Sequence, residues 1–294
     1  MEMTKLSTEQ RNENSFYIDQ MSASEMVKVI NGEDKKVALA VGNALSNIVE
    51  AIEQAATRFN NGGRLIYIGA GTSGRLGALD AIELTPTYGV PPERAFGILA
   101  GGTEAMYTAI EGAEDSEELA VSDLEKVKLD KADTLIAIAA SGRTPYALSA
   151  LTYGNKVGAL TISITCTAHN VMSQEAQVAI EAVVGPEVVT GSTRMKAGTA
   201  QKMILNMLST GVMIKSGKVY QNLMVNVQAT NHKLMERSIS ILTQALEIDK
   251  STATALFEDA GKKVNVAIVM YEQKLDRESA ETYLRENNDH IIRK

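Results

Sequence analysis

RLIYIGAGTSGRLGALDAIELTPTYG, the run from Arg64 to Gly89, decides the fold. Arg64 to Ala70 is a short apolar stretch rich in Ile and Tyr, the pattern of a buried strand. Gly71 to Gly74 is a glycine-flanked turn that carries two hydroxyls, Thr72 and Ser73. From Arg75 the apolar residues Leu76, Leu79 and Ile82 fall at helical spacing, and the helix is expected to stop before Pro86. A strand that ends in a glycine turn at a helix start makes an anion site. Backbone N–H groups and the positive end of the helix dipole point into it.

Gly69 to Gly74 also spells GxGxxG, the dinucleotide fingerprint. That fingerprint needs an acidic ribose ligand about twenty residues on, at the end of the next strand. Here the next strand-like run, Ala95 to Leu99, leads into a glycine pair and only then Glu104. Hydroxyls inside the loop suit a phosphate monoester better than a pyrophosphate, which needs bare backbone. The loop is therefore assigned to a phosphate ester and not to a nucleotide.

Outward from this unit the pattern repeats. Residues 1–47 are expected to be helical with a polar start, Ser24 capping a helix that breaks at Asn31-Gly32 and resumes near Glu33. Downstream, Ala95 to Leu99, Asp133 to Ala140, Ala159 to Thr165 and Val178 to Val184 are further strands, with a helix expected from Thr103 to about Val127. Strands alternating with helices indicate an α/β fold with a five-stranded parallel sheet and helices on both faces. Ligands of such sheets sit beyond the carboxyl ends of the strands. Three hydroxyl-rich turns fall there: Thr72-Ser73, then Ser141 with Arg143 and Thr144, then Thr190 to Thr199 with Ser192, Thr193, Arg194 and Lys196. A lone Ser or Thr in such a place is an ordinary helix cap. Three such turns after strands of one sheet, two of them carrying Arg, favour a shared anion site. A helical pattern from Val219 to Leu246 and two or three short amphipathic helices, one capped by Asp276, complete the chain. The expected domains are an N-terminal helical segment (1–47), the sheet domain (48–238) and a small helical domain (239–294).

Composition bounds the function. With 294 residues, 45% hydrophobic and 22% charged, the chain has the makeup of a globular protein. A net charge of −7 argues against nucleic acid or an anionic membrane as a general partner. No apolar run approaches membrane-spanning length and the polar N-terminus is unlike a signal peptide. One cysteine, Cys166, fits a reducing cytoplasm and is expected to be a small core residue, and three scattered histidines form no metal-ligand pattern.

Two acidic residues stand out. Glu83 is expected near the C-terminal end of the helix that starts in the first turn, where the dipole disfavours a charged carboxylate and suits a general acid. Glu114 lies in the acidic run EGAEDSEE, which by itself reads as a solvated helix face.

Gly185 to Lys202, GPEVVTGSTRMKAGTAQK, resembles the signature shared by N-acetylmuramic acid 6-phosphate etherases and glucokinase regulatory proteins. The resemblance to the etherases extends over nearly the whole chain, through IYIGAGTSGRLGALDAIE, EGAEDSEE and IAASGRTPY in order. It implies a flavodoxin-like sugar isomerase (SIS) domain and a cytoplasmic homodimer that binds a phosphosugar and uses neither metal nor organic cofactor. It places the family's catalytic proton donor on Glu83 and its second catalytic glutamate, the base, on Glu114. Leu84-Thr85 departs from the small residue or Cys followed by Pro that the family pattern expects after Glu83.

The implied chemistry is consistent with two carboxyl groups. An alkyl ether at C3 resists direct hydrolysis. In the ring-opened sugar the C1 aldehyde acidifies the C2 proton. One carboxylate removes that proton, a carboxylic acid protonates the departing lactate oxygen, and water adds to the unsaturated aldehyde. A phosphosugar-binding regulator and a sugar-phosphate isomerase are the competing readings; the first has no use for a pair of glutamates and the second needs other catalytic groups.

Overall fold

The computed structural model describes residues 7–227 and 232–292. Five strands form one parallel sheet: β1 (Leu65–Gly69), β2 (Ala95–Leu99), β3 (Thr134–Ile138), β4 (Leu160–Thr165) and β5 (Val178–Glu181). Their spatial order is β2-β1-β3-β4-β5, with Ile68 opposite Ile98 on one side and Ala137 on the other. This is the flavodoxin-like order, whose switch point lies between β1 and β3. All residues of β1, β3 and β4 are buried, as strands covered on both faces must be.

Side chains alternate between the two faces. Ile66 and Ile68 join Leu135, Ala137 and Leu151 in a core under α4 (Glu117–Lys126) and α5 (Pro145–Val157). The fully buried Tyr67 points the other way and donates its hydroxyl to Asp80 at 3.0 Å. Asp80 lies on α3 (Gly71–Tyr88) and also receives Asn206 (2.8 Å) and Ser209 (3.1 Å) from α7 (Lys196–Lys215). Burial pushes the Asp80 carboxyl up, while these three donors pull it down. The net shift is upward, and the carboxyl ties both helices to the sheet. On the N-terminal side, α1 (Ala23–Gly42) and α2 (Leu45–Asn60) precede the sheet, and α2 packs over β3, β4 and β5. A short α6 (Val171–Glu175) leads into β5.

Several local expectations are corrected. Residues 7–20 form three short 3-10 turns, so the N-terminal segment becomes helical only at α1. Ser22, not Ser24, caps that helix, in a reciprocal capping box with Glu25, and the helix runs unbroken through Asn31-Gly32. α3 continues past Pro86 to Tyr88, where a missing N–H costs one bond near the helix end. The helix expected over 103–127 is two 3-10 turns (Thr103–Met106, Ala113–Asp115) followed by α4. Gly112 there has positive φ, which interrupts an α-helix, and Ser116 caps α4 afresh.

The chain forms two compact units. One comprises the residues up to Ala81 with Glu93–Ser209 and contains the sheet. The other comprises Ile82–Pro92 and Thr210 onward. The division between the units falls inside α3, after Ala81, and inside α7, after Ser209. The second unit holds a two-stranded hairpin, β6 (Val219–Tyr220) with β7 (Leu223–Met224), where the periodicity from 219 to 246 predicts helix. Residues 228–231 of that stretch lie outside the described residues. Helices α8 (His232–Leu246), α9 (Lys250–Asp259), α10 (Val264–Gln273) and α11 (Arg277–Glu286) then enclose an apolar core centred on Val266, Ala267, Ile268 and Val269. Asp276 caps α11 through Ser279 N–H at 2.8 Å, as its position predicts.

Candidate functional site

A hollow of about 570 Å³ opens at the carboxyl ends of β1 and β3, the switch point of the sheet. Ala70 to Ser73 line it from β1, and Ala139 to Ser141, Arg143 and Thr144 line it from β3. Glu114, Asp115, Thr193 and Glu9 also line it.

Two helix N-termini face this space. α3 starts at Gly71, whose φ of +52° begins the helix immediately after the strand. The turn is held tight against the sheet: a Cβ on Gly74 would stand 2.4 Å from Gly69 O and 2.2 Å from Leu99 Cδ1. The GxGxxG spacing therefore serves close packing of helix on strand. α5 starts at Pro145 after Thr144, whose side chain makes no cap bond, and Arg143 N–H donates to Ser141 Oγ at 3.3 Å. Two dipole ends and the hydroxyls of Thr72, Ser73, Ser141 and Thr144 surround one volume, an arrangement suited to a phosphate.

Ser73 is buried and donates to Gln201 Oε1 at 3.0 Å, while Gln201 Nε2, also buried, has no partner among the described residues. The two amide orientations are isosteric. With the amide turned over, Nε2 donates to Ser73 Oγ and the hydroxyl proton is released toward the hollow.

The third turn behaves differently. The N-terminus of α7 is closed from within: the fully buried Glu187 accepts Lys196 N–H at 3.0 Å and Ala197 N–H at 2.9 Å. Lys196, expected as a substrate-binding cation, is 1% exposed, and its Nζ donates to Glu33 Oε2 at 2.7 Å. Burial pushes the Glu33 carboxyl up, but hydrogen bonds from Lys196, Lys36 and Asn14 outweigh it and hold it at about 2. Lys196 is thus a buried anchor of the turn. Of that turn only Thr193 reaches the hollow; Ser192 and the exposed Arg194 do not line it.

The two glutamates are placed unequally. Glu114 sits in the 3-10 turn before α4, exposed and lining the hollow, so the acidic run is a loop edge and not a helix face. Glu83 is exposed on α3, five residues before the helix end, and does not line the hollow. Cys166 is fully buried, with burial raising its thiol, as expected of a core residue. Asp115, beside Glu114, and Glu9, from the polar N-terminus, are lining residues that sequence reasoning did not single out; Glu9 is the more remote of the two in sequence. No periodicity or motif marks it.

Fold and hollow together define an SIS-domain protein, and two family models agree: the SIS domain over residues 116–211 and the glucokinase regulatory protein N-terminal SIS domain over residues 47–155. Relatives at higher identity narrow this. The chain is 60% identical to N-acetylmuramic acid 6-phosphate etherase 1 of Enterococcus faecalis, over 99% of this chain and 97% of that one. It is 55% identical to the N-acetylmuramic acid 6-phosphate etherase of Lactobacillus gasseri (99% and 98%) and 53% identical to that of Clostridium beijerinckii (100% and 96%). The chain belongs to the N-acetylmuramic acid 6-phosphate etherase family. Among solved structures, the c3406 protein of E. coli CFT073, crystallised in a complex, aligns with a TM-score of 0.50 at 20% identity. That alignment spans 69% of this chain and 97% of the other, a likeness of fold alone. No helix among the described residues is long and apolar enough to cross a membrane.

Proposed function

We propose that this chain cleaves the lactyl ether of N-acetylmuramic acid 6-phosphate, giving D-lactate and N-acetylglucosamine 6-phosphate, as a cytoplasmic carbon–oxygen lyase. The observation that carries the reading is the hollow itself: phosphate-type hydroxyl turns at two helix starts with the Glu114 carboxylate on the same rim. The 6-phosphate is received by Thr72, Ser73, Ser141, Arg143 and Thr144. Glu114 takes the C2 proton of the open-chain aldehyde. The aldehyde stores the electron pair, the C3–oxygen bond breaks, Glu83 protonates the lactate oxygen, and water adds at C3. The reading includes a homodimer, in which Glu83 of one copy serves the site of the other.

Release of D-lactate from N-acetylmuramic acid 6-phosphate tests the activity directly. Turnover in ¹⁸O-water tests the bond broken: label is expected in the C3 hydroxyl of the product sugar, and label in the lactate hydroxyl would exclude elimination and addition. Ser73→Ala or Ser141→Ala removes one donor to a charged acceptor, about 1.5–3 kcal/mol of binding. The loss is expected for the phosphosugar and not for its unphosphorylated form; equal losses would place the phosphate elsewhere. The competing reading is a phosphosugar sensor, which the full-length etherase relatives do not favour. Tight binding without any lactate release would select it.

A further inference from the structure

We propose that Glu9 contacts the sugar in this hollow, its carboxylate accepting hydrogen bonds from hydroxyl or amide N–H groups of the bound hexosamine, at the end away from the phosphate. The proposal rests on the phosphosugar reading of the same hollow and adds a residue that reading does not contain.

Glu9 ends a 3-10 turn (Ser7–Glu9) and lines the hollow. Its carboxylate lies over the third turn: a Cβ built on Gly191 would stand 3.5 Å from Glu9 Oε2. Among the described residues Glu9 makes no hydrogen bond or ion pair. An acceptor-only group with no protein donor, placed at a ligand-sized hollow, is completed by donors on a ligand.

The segment that carries Glu9 is fixed. Thr8, the residue before it, is fully buried. Downstream, Asn12 Nδ2 donates to Pro186 O (3.0 Å) and Ser15 Oγ to Val188 O (2.7 Å). Asn14 Nδ2 donates to Glu33 Oε1 (2.8 Å), and Glu33 in turn holds Lys196. These anchors lie on the stretch from Pro186 to Lys196, the one that brings Thr193 to the hollow, so Glu9 and Thr193 are positioned by one set of bonds.

Charge decides which end of the ligand Glu9 meets. A phosphate dianion placed against a carboxylate is repelled, and the helix N-termini and hydroxyls that stabilise it lie at the strand turns. Glu9 is left for the neutral, donor-rich part of the sugar, the hydroxyls and the C2 amide.

The test compares two probes by titration calorimetry on the full chain, wild type against Glu9→Gln, an isosteric change that removes the charge. For N-acetylglucosamine 6-phosphate the variant is expected to bind about 10- to 100-fold more weakly, the loss of one hydrogen bond to a charged group. For inorganic phosphate its affinity is expected to be unchanged or slightly tighter, which also reports that the phosphate turns are intact. Parallel losses for both probes would make Glu9 a structural residue and overturn the proposal. An unchanged affinity for the sugar phosphate, or a wild-type protein that binds phosphate but not N-acetylglucosamine 6-phosphate, would overturn it as well. Failure of the underlying reading is seen separately, as wild-type protein that binds the sugar phosphate yet releases no D-lactate.

Discussion

Glu83→Gln and Glu114→Gln are each expected to lower D-lactate release by about 10²–10⁴-fold, the usual contribution of a positioned acid or base. They are expected to differ in a partial reaction. Exchange of the C2 proton with solvent deuterium needs only the base, so Glu83→Gln should still exchange while Glu114→Gln should not. Glu114 is among the residues that line the hollow and Glu83 is not. The same placement makes a second expectation. If Glu83 comes from a second copy, mixing the two inactive variants creates mixed dimers with one intact site out of two. Random pairing then restores about a quarter of wild-type activity. No recovery on mixing, with subunit exchange verified, would put both glutamates in one chain's site. Exchange that persists in Glu114→Gln and vanishes in Glu83→Gln would reverse the two roles.

What the sequence discloses and what it hides follow from the range of the interactions. All five strands are found where short apolar runs place them, and the three fully buried ones, β1, β3 and β4, leave the strongest local mark. The Thr72-Ser73 and Ser141–Thr144 turns are legible for a similar reason: glycine and hydroxyl residues sit directly after a strand and before a helix. The 103–127 region misleads because apolar spacing there is compatible with a helix, while the positive-φ Gly112 decides otherwise. The hairpin at 219–224 misleads in the same way, its few apolar residues fitting a helical period as well as an alternating one.

Pairings across long sequence separations are invisible to such reading. Lys196 in a run of hydroxyls and cations looks like a ligand for an anion, and only the fold shows that Glu33, 163 positions earlier, already holds it. Glu187 looks like one more acidic residue and proves to be the internal anion of α7. Glu9 lies in a polar stretch that carries no pattern, and it reaches the hollow only because Asn12 and Ser15 bind the backbone near residue 187. Family resemblance supplied the two glutamates. Of the two, Glu114 is among the residues that line the hollow and Glu83 is not.

The buried pair of Glu33 and Lys196 carries the largest expected effect on stability. Glu33 is 3% and Lys196 1% exposed, so neither side chain can recover water when its partner is removed. Lys196→Met leaves the Glu33 carboxylate with Lys36 and Asn14 alone, and Glu33→Gln leaves an ammonium group in the interior. Each single change is expected to cost about 3–5 kcal/mol in urea unfolding, whereas the double variant Glu33→Gln/Lys196→Met should recover most of that loss, because no uncompensated charge remains. Singles that cost under about 1 kcal/mol, or a double that costs their sum, would show that the two do not act as a buried pair. Acid provides an independent check. The folded Glu33 carboxyl is held at about 2, against an ordinary 4.5. A depressed carboxyl stabilises the folded state fully above the unfolded value and loses that contribution as pH falls toward the folded one. The stability gap between wild type and Glu33→Gln is therefore expected to be constant near neutrality and to narrow between about pH 4.5 and 2. A gap that holds its size through that window would mean that Glu33 is not the charged partner that secures Lys196 and, with it, the turn carrying Thr193.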